Sequence, residues 1–115
     1  MDNKTALKAA YDAITDKKGE NTQIIDISGV SVIADYFIVT NGNNVNQVKA
    51  IADNVEEELL KLGLSPRQIE GYGTASWILM DFGGIIVHVF SKEDRLFYDL
   101  ERIWSDGKRI TAEEI

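Results

Sequence analysis

Residues 77–90 of the chain have the sequence Trp-Ile-Leu-Met-Asp-Phe-Gly-Gly-Ile-Ile-Val-His-Val-Phe. Two runs rich in β-branched and aromatic residues flank the dipeptide Gly83-Gly84, and this pattern predicts two antiparallel strands joined by a tight glycine turn. With the two glycines as the turn, Phe82 lies opposite Ile85, and each residue further from the turn faces its counterpart on the other strand. The sequence therefore predicts the register of a β-hairpin.

The two faces of this hairpin differ in chemistry, because side chains alternate between the faces of a strand. One face is wholly apolar and carries Ile78, Met80, Phe82, Ile85, Val87 and Val89. The other carries Trp77, Leu79, Asp81, Ile86, His88 and Phe90, which combine aromatic rings with a carboxylate and the only histidine. The apolar face fits a core. The second face fits either a docking surface or burial under a second layer of helices, and the sequence leaves both open.

Length and composition narrow the class of protein. The chain has 115 residues, which suits one domain, and we expect that domain at residues 1–107, followed by a flexible tail at residues 108–115. Cysteine is absent, which excludes disulfides, thiolate metal sites and a cysteine nucleophile. No run approaches the roughly 20 apolar residues that cross a bilayer, and the start lacks an apolar signal region. We therefore expect a cytoplasmic protein with no membrane partner.

The net charge of −7 limits the partners. Direct binding to nucleic acid is disfavoured, because neutralising phosphates requires clustered lysine and arginine side chains. An acidic protein is instead suited to dock on a basic protein, since opposite charges speed their encounter.

The remaining elements follow from hydrophobic periodicity. It predicts helices at residues 2–18, 45–62 and 92–104 and strands at residues 23–28, 35–40 and 68–70. With the hairpin, the order is α-β-β-α-β-β-β-α. This order predicts an α/β (α+β) domain, built on a single mixed five-stranded sheet flanked by helices.

One candidate for phosphate chemistry is the turn Thr40-Asn41-Gly42-Asn43-Asn44, between a predicted strand and a helix start. It has one glycine where phosphate-binding loops have more, and it has no lysine. Helix capping by Asn43 or Asn44 accounts for the same residues. We therefore favour a capped connection over a nucleotide- or phosphate-binding enzyme at Gly42.

Two further enzyme hypotheses have weak support. A nucleotidyltransferase needs paired metal-binding carboxylates one residue apart on a strand, whereas Asp26, Asp35 and Asp81 lie in separate predicted strands. His88 with Asp81 resembles a general base and its orienting carboxylate, but the spacing places no serine or cysteine nucleophile nearby. We predict no catalytic residues, no metal site and no cofactor.

Several short motifs together resemble the ribosomal silencing factor S family, also called the Iojap family. They cover the chain from about residue 6 to residue 104. The matching pieces are Ala34-Asp35-Tyr36-Phe37, Gly42, Val48-Lys49-Ala50-Ile51-Ala52, Glu70-Gly71, Trp77-Ile78-Leu79-Met80-Asp81 with Gly83, Val87-His88-Val89-Phe90, Arg95, Tyr98-Asp99-Leu100-Glu101 and Trp104. The chain departs from the family pattern at Asn41-Gly42-Asn43-Asn44, at Asn46-Gln47 and at Gly84.

The resemblance implies a function without catalysis. Proteins of this family bind a basic protein of the large ribosomal subunit, numbered fourteen, block joining of the small subunit and repress translation when nutrients are short. It also implies a nucleotidyltransferase-like topology without the catalytic carboxylates, homodimers in the free state, and a role of organellar relatives in maturation of the large subunit.

Hairpin alternation and the resemblance together give our hypothesis for the docking residues. These are Trp77, Leu79, Asp81, His88 and Phe90, with Tyr98 of the last helix as a neighbour. Aromatic and aliphatic groups would supply desolvation, and Asp81 would pair with a basic side chain of the partner. The alternatives are an assembly factor for the large subunit and, with less support, the enzyme at Gly42.

Overall fold

The computed structural model describes residues 3–98 and 107–115, with the side chains of residues 96–98 and 112 left out of the description. The helices are α1 (Asn3–Asp16), α2 (Val45–Lys61) and α3 (Lys92–Tyr98). The strands are β1 (Glu20–Asp26), β2 (Tyr36–Gly42), β3 (Gln68–Glu70), β4 (Trp77–Asp81), β5 (Ile85–Ser91) and β6 (Lys108–Ile110), and a 3-10 turn follows at Ala112–Glu114.

The six strands among the described residues form one mixed sheet in the order β3-β4-β5-β2-β1-β6. The central strands β2 and β5 are parallel, and the other neighbours are antiparallel. The fold class predicted from the sequence is confirmed. The predicted count of five strands is wrong, because Lys108–Ile110, inside the expected tail, pairs with β1.

The sixth strand forms because β1 would otherwise be an edge strand with unpaired backbone groups, and β6 pairs with it. Ile24 pairs with Ile110 there, and Ile110 packs against the adjoining core. Gly107 permits the close approach, since a Cβ atom at that position would lie 2.7 Å from the Ile25 side chain. Lys108-Arg109-Ile110 has no alternation of apolar and polar residues, unlike the equally short Gln68-Ile69-Glu70, so the hydrophobic pattern did not predict this strand.

Helices α1 and α2 cover one face of the sheet, which we call the helix-covered face. Each helix presents one apolar stripe to this face. The stripes pack against aliphatic side chains of the strands, such as Ile38, Ile78 and Val87. The described part of α3 begins where β5 ends, within the predicted helix at residues 92–104; residues 99–106 lie outside the described part of the chain.

The hairpin has the predicted register. Trp77 pairs with Phe90 and Leu79 with His88, and the Phe82 amide donates to the Ile85 carbonyl at 2.9 Å. Gly83 has φ +91°, a conformation that a residue with a side chain rarely adopts. The glycine turn thus fixes which side chains of β4 and β5 share each face.

Candidate docking face of the sheet

The sheet surface opposite α1 and α2, which we call the second face, carries the predicted docking residues. The strand pairings bring Trp77, Leu79 and Asp81 of β4 beside His88 and Phe90 of β5. Parallel pairing then places Phe37 of β2 beside Ile86, and Val39 of β2 beside His88. Of the predicted docking residues, Tyr98 alone falls where the side chain is outside the description.

Four of these residues form an aromatic cluster. Trp77 stacks on Phe90, with ring centroids 5.0 Å apart and an interplanar angle of 25°. Phe37 meets His88 edge to face, with centroids 4.7 Å apart. Stacked and edge-to-face arrangements are the favoured ones for aromatic pairs. The indole of Trp77 therefore packs on rings that are themselves buried and packed.

Burial divides the predicted docking residues into two groups. Trp77, Leu79 and Asp81 are half-buried and reach the surface. His88 and Phe90 are only 3% and 1% exposed, and Phe90 belongs to a small apolar core with Ile25, Ile27, Ala34, Phe37, Val39 and Ile86. The first group is therefore accessible from solvent, whereas His88 and Phe90 lie beneath it.

The surroundings of His88 do not suit a general base. The indole Nε1–H of Trp77 donates to its Nδ1 at 3.0 Å, so the ring proton lies on Nε2. Burial lowers the pKa of His88 from 6.5 to about 4, and the imidazole is neutral near pH 7. The carboxylate of Asp81, the candidate orienting group, instead accepts a hydrogen bond from the Gly83 amide at 2.8 Å.

The Gly42 turn is filled by its own side chains. The Asn44 side chain accepts from the Gln47 amide at 2.8 Å and caps α2. The Gln47 side chain in turn accepts from the Asn43 amide at 2.7 Å and donates to the carbonyls of Lys17 and Lys18 at the end of α1. These contacts confirm the predicted capped connection, and they give Gln47 the structural task of joining two helix ends.

A polar cluster at the ends of β2 and β5 was not predicted from the sequence. Arg95 of α3 donates to the Asn41 side-chain oxygen at 2.9 Å and to the Glu20 carbonyl at 3.2 Å. Asn41 is buried and donates to the Glu20 carboxylate at 3.3 Å. The partners are 21 to 75 residues apart in the chain, so no local pattern reveals them. The cluster anchors the start of α3 to the sheet.

Glu70 is a further surface residue that sequence reasoning missed. In the β3–β4 pairing it lies beside Leu79, and Gln68 lies beside Asp81. The Gln68 side chain donates to the Glu70 carboxylate at 2.8 Å. Two carboxylates, Glu70 and Asp81, therefore border the apolar pair Trp77 and Leu79. The signal was present in the alternation of residues 68–70, but only the strand register assigns it to this face.

The loop between β1 and β2 adds exposed apolar surface. Val30, Val32 and Ile33 are all exposed, while Ile27 and Ala34 at the two ends of the loop pack into the small core of the second face. The apolar loop tip is thus attached to the same side of the sheet as Trp77.

The described residues contain neither a membrane-spanning helix nor a cluster of metal-binding side chains. No helix among residues 3–98 and 107–115 has the length and apolar character to cross a membrane. Within the same residues, no group of three or more histidine, aspartate or glutamate side chains is arranged to hold a metal ion.

Comparison with known proteins confirms the resemblance. A family model described as "Ribosomal silencing factor during starvation" matches residues 1–115. A Halalkalibacterium halodurans protein named "Ribosomal silencing factor RsfS" is 37% identical over 100% of this chain and 98% of its own length.

More distant relatives extend the comparison. A crystal structure of a Chromobacterium violaceum protein superposes with a TM-score of 0.89 at 32% identity, over 96% of this chain and 92% of that one. A mouse protein named "Mitochondrial assembly of ribosomal large subunit protein 1" is 30% identical over 62% of this chain and 32% of its own length. The full-length match to the family model and the identity to its bacterial members mean that the chain belongs to the ribosomal silencing factor family.

Proposed function

We propose that the protein docks through the second face of its sheet on the basic large-subunit protein numbered fourteen, blocks joining of the small subunit and so represses translation. The observation that carries the proposal is the surface pair Trp77 and Leu79, backed by buried aromatic rings and bordered by Glu70 and Asp81. Aromatic anchors on a firm base are typical of binding hot spots.

Charge supports a basic partner. The chain carries a net charge of −7, and Glu70 and Asp81 lie at the edge of the apolar pair rather than beneath it. Carboxylates at the rim steer a basic protein toward the face and set its orientation, while the apolar centre supplies most of the affinity. Occlusion of the joining surface by the bound protein requires no catalytic step.

We also propose that the chain is not an enzyme. The two candidate catalytic features have structural roles in the described part of the chain. His88 is buried and bonded to Trp77, and the Gly42 turn is closed by Asn44 and Gln47. Action in the cytoplasm and a homodimer in the free state complete the proposal.

The test is sedimentation of the purified full-length protein with separated ribosomal subunits in a sucrose gradient. We expect migration with the large subunit and fewer joined ribosomes when small subunits are added. Absence from the large-subunit fractions at moderate salt would overturn the proposal.

The second candidate is a role in assembly of the large subunit, which the name of the mouse relative favours. Assembly and repression would use the same face and differ in their consequences. An assembly factor leaves mature subunits free to join in the purified system, and its deletion leads to accumulation of immature large subunits in cell extracts. A repressor gives the opposite pair of results.

A further inference from the structure

Trp77 lies at the surface, yet its indole N–H points into the protein. The ring stacks on Phe90, its direct partner on β5, and its Nε1–H reaches the Nδ1 of His88 one pair further along the hairpin, at 3.0 Å. Stacking alone leaves a ring free to slide and turn in its plane. The directional hydrogen bond removes that freedom, so the two contacts together define one orientation of the indole.

His88 is an unfavourable choice for the stability of the fold. It is 3% exposed, it packs against Phe37, and its Nε2 has no hydrogen-bond partner within the described part of the chain. A buried polar hydrogen without a partner is destabilising, and an apolar side chain of similar size would avoid the penalty. Among the described residues, Trp77 is the one that donates a hydrogen bond to the His88 ring, at Nδ1.

The geometry points to His88 as the residue that positions Trp77 for docking. This inference rests on the proposed function and deepens it, since His88 itself is buried and acts through the indole. A hot-spot side chain that is already held in its bound orientation loses less conformational freedom on binding. The histidine thus exchanges stability of the free protein for affinity of the complex.

Matched substitutions separate this role from a structural one. His88→Leu removes the acceptor and the unpartnered hydrogen together. His88→Asn keeps an acceptor, because its amide oxygen is attached to Cγ as Nδ1 is in histidine. Trp77→Phe keeps an aromatic ring over Phe90 but removes the donor.

The first measurement uses the free full-length protein. Nuclear magnetic resonance detects the indole N–H signals of Trp77 and Trp104, and Trp77→Phe assigns them. We expect the Trp77 signal to exchange slowly with solvent in the wild type, to exchange faster in His88→Leu, and to be slowed again in His88→Asn. An exchange rate that is the same in the wild type and in His88→Leu would overturn the inference.

The second measurement is the affinity for purified large ribosomal subunits in a double-mutant cycle. We expect His88→Leu to weaken docking about three- to tenfold, the range of one neutral hydrogen bond, without loss of thermal stability. In the Trp77→Phe background the same change should alter docking by less than about twofold, because coupled residues are not additive.

The outcomes distinguish the two proposals. Two outcomes overturn only the role of His88 and leave the proposed function standing, provided that the wild type docks. One is an undiminished affinity of His88→Leu, and the other is an equal loss of affinity from His88→Leu in the Trp77→Phe background. Failure of the wild type to dock overturns the proposed function and the inference with it. If His88→Leu does not fold, His88→Asn still decides: we expect its Trp77 signal to exchange slowly and its affinity to stay near that of the wild type, and fast exchange with undiminished affinity would overturn the inference.

Discussion

The two faces of the sheet carry different kinds of side chain. On the helix-covered face, Ile38, Ile78 and Val87 are fully buried beneath α1 and α2, and their side chains carry no polar atoms. On the second face, aromatic rings surround a buried imidazole, and the half-buried Trp77 and Leu79 complete the layer. The first arrangement maximises burial of apolar surface. The second leaves apolar area at the surface and keeps a polar ring inside.

Under the proposed function, the two faces have different tasks, folding for the first and docking for the second. Burial of aliphatic side chains is the main source of folding free energy, so the helix-covered face should dominate stability. Apolar groups left half-buried on a firm base contribute little to folding but are ready to bind. Each of the changes below should affect one face and leave the function of the other intact.

The largest expected effect is on the helix-covered face. Ile38→Ala removes a fully buried side chain from the central strand β2, and we expect a loss of about 2–5 kcal/mol of unfolding free energy. Urea denaturation measures it. Val32→Ala is the matched control, because Val32 is fully exposed and its truncation should change stability by no more than about 0.5 kcal/mol.

Docking should be spared by the same change. Under conditions where Ile38→Ala is still folded, its affinity for large subunits should equal that of the wild type. A selective loss of affinity in the folded variant would show that the two faces are coupled and would break the comparison.

The next effect concerns pH and belongs to the second face. Burial lowers the pKa of His88 to about 4, whereas the unfolded chain has the ordinary value of 6.5. Between these values the unfolded state binds the extra proton and the folded state does not, so stability rises with pH. It is fully present above pH 6.5 and is lost as pH falls toward 4, by up to about 3 kcal/mol.

Comparison with His88→Leu isolates this contribution, since the carboxylates of the two proteins are the same. Unfolding free energies measured from pH 7 to pH 4 should fall more steeply for the wild type than for the variant. Parallel curves would mean that the imidazole is protonated equally easily in the folded and unfolded states.

A smaller change in stability with a clear change in docking is expected for Trp77→Ala. Trp77 is half-buried, so its truncation should destabilise the fold less than Ile38→Ala does, while docking to large subunits should weaken by more than about 1 kcal/mol. Tyr72→Ala is a matched control, because it also removes an aromatic side chain that reaches the surface: Tyr72 is 40% exposed. Tyr72 bonds to Asp53 of α2 and so belongs to the helix-covered side, and its truncation should leave docking unchanged. Unchanged affinity of folded Trp77→Ala would remove Trp77 from the docking face.

The sequence predicted the hairpin and its register, because both follow from strand alternation and a Gly-Gly turn that are local in the chain. It did not predict the burial of His88 and Phe90, since Phe37 and Ile25 reach them through strand pairings between distant segments. The structure also bears on the catalytic hypothesis that the sequence left with weak support, in which Asp81 orients His88. Strand alternation puts Asp81 diagonally across the hairpin from the imidazole, but the Asp81 carboxylate accepts a hydrogen bond from the Gly83 amide, and the imidazole accepts one from Trp77.

The smallest expected effect tests whether the acidic rim belongs to the docking face. Glu70→Gln removes one negative charge beside Leu79, and Glu57→Gln removes one from the exposed side of α2, across the sheet. Both change the net charge equally. A rim charge acts mainly on the rate of association, so Glu70→Gln alone should slow binding to large subunits, by about twofold at low salt, with the difference vanishing as salt screens it. Equal rates for the two variants would mean that the partner responds only to the net charge of the protein, and the border that Glu70 and Asp81 form around the apolar pair would then have no part in recognition.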